Sequence, residues 1–151
     1  MKLSSLQDTQ NLSEKISRIV KSGDTIFLYG EIGVGKTTFV RFLINHLQAK
    51  NSIKKSEVLS PTFNIVYEYN IKKVKIYHYD LYRLKSYNDI IELGIFENLK
   101  NNITIIEWPE LIKPKPKDRI DVIFKYSKEI NSRKVKIYCL GKCKNYKLNE
   151  I

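Results

Sequence analysis

Residues Thr25-Ile26-Phe27-Leu28-Tyr29 form an unbroken apolar run, whereas from Lys36 onward Phe39, Val40, Phe42, Leu43 and Leu47 recur at helical spacing. The change of period predicts a strand followed by a helix over Lys36 to Gln48. Upstream, Leu12, Ile16, Ile19 and Val20 share one helical face, which predicts an amphipathic helix from about Thr9 to Lys21, closed by Ser22-Gly23-Asp24. Downstream, Pro61 in Ser60-Pro61-Thr62 forbids a continuing helix and predicts a turn or a ligand-facing loop. Phe63 to Tyr69 and Val74 to Tyr79 then read as two strands of a hairpin joined by Asn70-Ile71-Lys72-Lys73.

Ser86 caps a short helix through Glu92 that stops at Gly94, and Ile95 to Leu99 add one more turn. Ile103-Thr104-Ile105-Ile106 has the continuous apolar character of a strand buried on both faces. Lys113-Pro114-Lys115-Pro116-Lys117 predicts an extended linker, and Ile120 to Phe124 and Lys134 to Tyr138 a closing pair of strands. Helices between strands, with one antiparallel hairpin, predict a three-layer α/β fold with a mixed sheet.

Between the first strand and its helix lies Gly30-Glu31-Ile32-Gly33-Val34-Gly35-Lys36-Thr37, which meets every fixed position of G-x-x-x-x-G-K-[ST]. Glycines let successive backbone N–H groups turn inward onto phosphate oxygens at a helix N-terminus. Lys36 then reaches the β- and γ-phosphates, the Thr37 hydroxyl suits Mg²⁺, and Thr38 supplies a second hydroxyl near the α-phosphate. The loop predicts a nucleoside triphosphate with Mg²⁺ as the ligand pair.

Such a site needs a carboxylate at the end of a buried strand, and the chain offers two. Glu107 follows the Ile103 run, and Asp80 ends Ile76-Tyr77-His78-Tyr79. One carboxylate can serve the metal while the other orients or deprotonates water; the pattern does not say which. His78 alternates with Asp80 and shares its face, as a structural histidine or a catalytic one. Trp108, the only tryptophan, stacks on a base or partner or else closes the core. Thr62, after Pro61, is a candidate sensor of the γ-phosphate.

A chain of 151 residues suits one domain, with a basic C-terminal segment from about residue 113. No apolar stretch approaches the roughly 20 residues that span a bilayer, and the first eight residues lack a long apolar signal core, so a soluble, cytoplasmic protein is expected. Cys139 and Cys143 have no neighbouring Cys or His pair and read as two reduced thiols. The net charge of +11 is uneven: residues 1 to 112 carry 15 basic and 12 acidic groups, and residues 113 to 151 carry 12 basic and 4 acidic groups. That excess suits a phosphate backbone such as tRNA. It is equally the product of a Lys-rich composition, since 22 of the 27 basic residues are Lys beside 21 Ile and 12 Asn.

The order of motifs, G-E-I-G-V-G-K-T-T-F, S-P-T-F at 60 to 63, H-Y-D-L-Y-R-L at 78 to 84, E-L-G-I at 92 to 95 and I-I-E-W-P at 105 to 109, resembles the TsaE (YjeE) family over about Thr9 to Arg133. That resemblance implies a small ATPase required for threonylcarbamoyladenosine in tRNA, acting with the TsaB and TsaD proteins. It implies Mg²⁺ on Thr37 and Glu107, ATP phosphates on residues 30 to 38, and Asp80 as a catalytic candidate. It further implies Thr9, Trp108 and Arg133 near the nucleotide, and Thr62 and Arg83 in switching or partner contact. Ser132 stands where many members carry Gly before the Arg. Two rivals remain: a small-molecule kinase, for which five Arg are few, and a nucleotide-gated RNA-binding module. No Asn-Lys-x-Asp motif selects guanine.

Overall fold

The computed structural model describes residues 1–146; the end of the basic C-terminal segment, residues 147 to 151, lies outside the described residues. Seven strands form one sheet: β1 (Lys2–Leu3), β2 (Thr25–Tyr29), β3 (Val66–Ile71), β4 (Val74–Asp80), β5 (Ile103–Glu107), β6 (Arg119–Tyr126) and β7 (Arg133–Leu140). Their order is β1-β7-β6-β2-β5-β4-β3. The pairs among β6, β2, β5 and β4 are parallel, while β7, β1 and β3 join antiparallel at the two sides. The sheet is therefore mixed, with the hairpin β3–β4 at one edge.

Burial explains the parallel centre. Every residue of β5 is buried and four of the five in β2 are, as befits strands covered on both faces. One face is covered by α1 (Leu6–Ile19) and α2 (Lys36–Lys50), which bury Leu12, Ile16, Phe39, Leu43 and Ile44 against Ile26, Leu28, Ile105, Ile120 and Val122. Ser13 and Ser17 are also buried in α1, and each satisfies its hydroxyl on a carbonyl of its own helix, so small residues face the core without an orphaned donor. The other face is covered by α3 (Tyr87–Glu92) and by 3₁₀ turns at Ile95–Asn98 and Pro109–Leu111, over Phe27, Tyr79 and Ile106.

Several boundaries differ from the sequence reading. α1 starts at Leu6, not Thr9, because Ser5 and Asp8 form a reciprocal capping box. β3 starts at Val66, not Phe63, because Ile65 has φ 67 and breaks the extended run. The two-residue edge strand β1 was not anticipated. Asp24, fully buried before β2, accepts hydrogen bonds from Lys21 N–H and from the Tyr146 hydroxyl at 2.6 Å and lies 3.7 Å from Cys143 Sγ, which docks the C-terminal turn beneath the sheet. Both cysteines are free, and burial, followed by the Asp24 charge, pushes the Cys143 thiol up to about 12. Among the described residues no helix is long and apolar enough to cross a membrane.

Ile105, fully buried on the central strand, is the position where packing loss should be felt most directly. Ile105→Ala should cost about 2–5 kcal/mol of stability, read as a lower urea midpoint with an unchanged slope.

Candidate functional site

The site lies where β2, β5 and β4 end together. Register pairs Leu28 with Glu107 and Glu107 with Asp80, so both carboxylates reach the same sheet edge as the loop leaving β2. The loop itself depends on glycine where other residues would clash. Gly30 has φ 135, and a Cβ there would lie 2.5 Å from the Phe124 carbonyl oxygen of β6. Gly35, at φ 112, ends the loop as the left-handed N-cap of α2, and no side chain caps that helix. The first N–H groups of α2 therefore face the cleft as an anion cradle.

Lys36 is only 4 % exposed although it is a lysine. Its ammonium donates to Gly30 O at 2.6 Å and to Glu31 O at 3.0 Å, and it sits 3.9 Å from the Trp108 ring centroid. Burial lowers its pKa from the ordinary lysine value, against the raising influence of Glu107, Asp80 and Glu110. Trp108 reaches this position because its backbone is left-handed, φ 59 and ψ 58, at the exit of β5. Its indole also packs on Tyr82, with centroids 4.8 Å apart.

Glu107 is 2 % exposed. Thr37 Oγ1 lies 2.9 and 3.0 Å from its two oxygens, and His78 Nε2 lies 2.9 Å from Oε1. Asp80 is equally engaged: Thr62 donates to Oδ2 at 2.6 Å and Tyr82 N–H donates to Oδ1 at 3.0 Å. Ser60 shares a further hydrogen bond with Thr62, which ties the whole Ser60-Pro61-Thr62 loop to the carboxylate.

These groups line a cavity of about 250 Å³ together with Ile32, Gly33, Gly35 and Thr38. A second cavity of about 310 Å³ adjoins it through Gly33, Gly35 and Thr38, and there Thr9 of α1 and Arg133 of β7 converge with Ser5, Val34, Phe124 and Asn131. The structure thus brings the sequence candidates into two connected clefts. Trp108 is in the cleft with Lys36, not with Thr9 and Arg133. Arg83 lines neither; its guanidinium lies 5.3 Å from the ring of Phe63, which is 83 % exposed. Glu31 contributes its carbonyl to Lys36, and Ile32 accepts from the Tyr126 hydroxyl at 2.9 Å. Ser132 needs no glycine's freedom, because the left-handed residue of that turn is Asn131 at φ 62, whose carbonyl receives Arg133.

Sequence reasoning did not find Tyr82, Tyr126 or Asn131 as site neighbours. It also did not find that part of the basic excess shares a face: Lys134 of β7 is paired directly with Lys125 of β6, and with Lys2 of β1, whose ammonium is ion-paired with Glu129. Lys136 is one pleat further along β7, and all four lysines are exposed.

A Gly-rich loop at the head of a helix, beside two strand-end carboxylates on the parallel centre of a mixed sheet, defines a phosphate-loop NTPase-type protein. The family model described as threonylcarbamoyl adenosine biosynthesis protein TsaE matches residues 3–135. The chain belongs to the TsaE family. It is 39% identical over 137 residues to the tRNA threonylcarbamoyladenosine biosynthesis protein TsaE of Aquifex aeolicus (strain VF5), covering 90% of this chain and 92% of that one. It is 42% identical over 111 residues to the protein of that name from Rickettsia prowazekii (strain Madrid E), 74% of each chain. The crystal structure of Bacillus subtilis YdiB shares the fold, with a TM-score of 0.72 at 24% identity over 93% of this chain and 84% of that one.

Proposed function

We propose that this protein is a Mg²⁺-dependent ATPase that serves formation of threonylcarbamoyladenosine in tRNA, splitting ATP with water to ADP and phosphate to reset or release a partner transferase complex containing TsaB and TsaD. The observation that carries the reading is the convergence of Lys36, Thr37, Glu107, Asp80 and Thr62 at one strand-end cleft beside an uncapped helix N-terminus. The relatives' names, all of tRNA threonylcarbamoyladenosine biosynthesis proteins, support the pathway.

The chemistry of the donors fits the metal. A hydroxyl and a carboxylate in contact, Thr37 and Glu107, are the hard oxygen ligands that Mg²⁺ takes alongside phosphates and water. Among the described residues no group of three or more His, Cys, Asp or Glu side chains could hold an ion unaided, which suits a cation that arrives with its nucleotide. Bound there, Mg²⁺ offsets charge on the transferred phosphoryl group.

The protein's own groups do the rest. Backbone N–H groups from Gly33 to Thr38 hold phosphate oxygens. Lys36 leaves the Gly30 and Glu31 carbonyls and the Trp108 face for the β- and γ-phosphates. The nucleoside takes the neighbouring cleft between Thr9 and Arg133. Asp80 orients the attacking water while Glu107, in contact with Thr37, serves the cation. Thr62 donates to Asp80 Oδ2 and the Tyr82 N–H donates to Oδ1, so the 60 to 65 loop is tied to the carboxylate and its movement changes how Asp80 is aimed. A partner that moves Thr62 and Arg83 would raise the rate, and the protein alone is a weak ATPase.

The lysine face supports a second contact, with tRNA. Lys125 and Lys134, directly opposed across β6 and β7, repel, and a phosphate backbone relieves that repulsion, whereas Lys2 is ion-paired with Glu129.

Three outcomes are expected. Lys36→Ala should remove ATP binding measured by calorimetry; unchanged affinity would refute the loop assignment. ATP turnover by the purified chain should rise on adding TsaB, TsaD and tRNA, fall sharply in Asp80→Asn and vanish in Glu107→Ala. Turnover indifferent to partners would leave the phosphate-loop chemistry and sink the pathway role. Direct tRNA binding should weaken with salt, and the slope against log salt should fall by about one for Lys134→Gln.

A further inference from the structure

His78 is the buried polar group that this mechanism does not use. It lies on β4 two residues before Asp80, and β4 runs parallel to β5 with Asp80 beside Glu107, so the imidazole sits one pleat below both carboxylates on the same face. It is fully buried, and its Nε2 is 2.9 Å from Glu107 Oε1. Its Nδ1, also buried, has no hydrogen-bond partner among the described residues. An ionised carboxylate accepts and cannot donate, so the bond places a hydrogen on Nε2.

A side chain serving only to fill this space would be better apolar, since burying an imidazole with one nitrogen unpartnered carries a desolvation cost that packing does not recover. The one bond it does make is to the carboxylate that also takes both contacts from Thr37. We propose that His78 is a positioning residue: by donating Nε2–H to Oε1 it fixes the rotation of the Glu107 carboxylate with both oxygens facing Thr37 Oγ1. The oxygen pair for the cation is thereby set before Mg²⁺ and nucleotide enter. A carboxylate freed from this bond rotates about its last torsion, and part of the cation's binding free energy is then spent on ordering it.

This inference rests on the Mg²⁺–nucleotide reading of the site, and its test separates the two. ADP binding is measured by calorimetry with Mg²⁺ and again with EDTA, and the ratio of affinities is compared. The wild-type chain should bind more tightly with Mg²⁺. His78→Leu should lose about tenfold or more of that enhancement while its affinity in EDTA stays unchanged, as expected when an outer partner of a metal ligand is removed. His78→Gln, whose amide N–H reaches about as far as Nε2, should recover most of the enhancement, whereas the shorter His78→Asn should not. Full enhancement in His78→Leu overturns the positioning role alone. If that variant does not fold, equal enhancement in the Gln and Asn variants overturns it. A wild-type chain whose ADP affinity ignores Mg²⁺ overturns the metal reading and the role of His78 with it.

Discussion

A carboxylate taken almost wholly out of water has to be satisfied where it lies, and Glu107 imposes that requirement on everything near it. It stands at the end of a strand with no exposed residue, so solvent offers little. Thr37 answers from the first turn of α2 and His78 from β4, which fixes the distance between helix and sheet at the one place where the phosphate loop must be held. The parallel register of β2, β5 and β4 makes this possible, because it brings the three strand ends level. Had β5 paired one residue out of step, its carboxylate would face the opposite layer.

The cleft satisfies its own groups one by one. Lys36 has two carbonyls and an indole, Thr37 has Glu107, and Asp80 has Thr62 and a backbone N–H. The arrangement resists collapse, and a ligand that recruited Lys36 would have to displace two carbonyls and an indole, which lowers net affinity. Left-handed backbone at Trp108 and at the β-branched Ile65 adds strain of about 1–3 kcal/mol each at the two segments flanking the cleft. Ile65 is also tied to the site, since its carbonyl receives Asp80 N–H at 2.9 Å. Strain there is stored beside the residues expected to move.

Local pattern carried the reading of the fold a long way. The apolar runs at Thr25 and Ile103, the change to helical period at Lys36 and the Ser86 cap each announce their element, because those signals lie within a few residues. The Ser5 to Asp8 capping box was equally legible and would have placed the start of α1 correctly. What was not legible depends on partners far away in sequence. β1 exists only because β7 offers it an edge, Asp24 is completed by Lys142, Cys143 and Tyr146 near the other end of the chain, and His78 is explained only by Glu107. In the site, Lys36, Thr37 and Glu107 followed from spacing. The turn of Trp108 onto Lys36 did not, since nothing in Glu-Trp-Pro signals left-handed backbone.

That turn gives the molecule an optical property. Trp108 is the only tryptophan in the chain, so all of its indole fluorescence arises 3.9 Å from the ammonium that a triphosphate would recruit. Any occupant that draws the lysine away, or stacks in its place, alters the emission of the whole protein. The cleft reports its own occupancy without a label, in whatever assembly lacks a competing tryptophan.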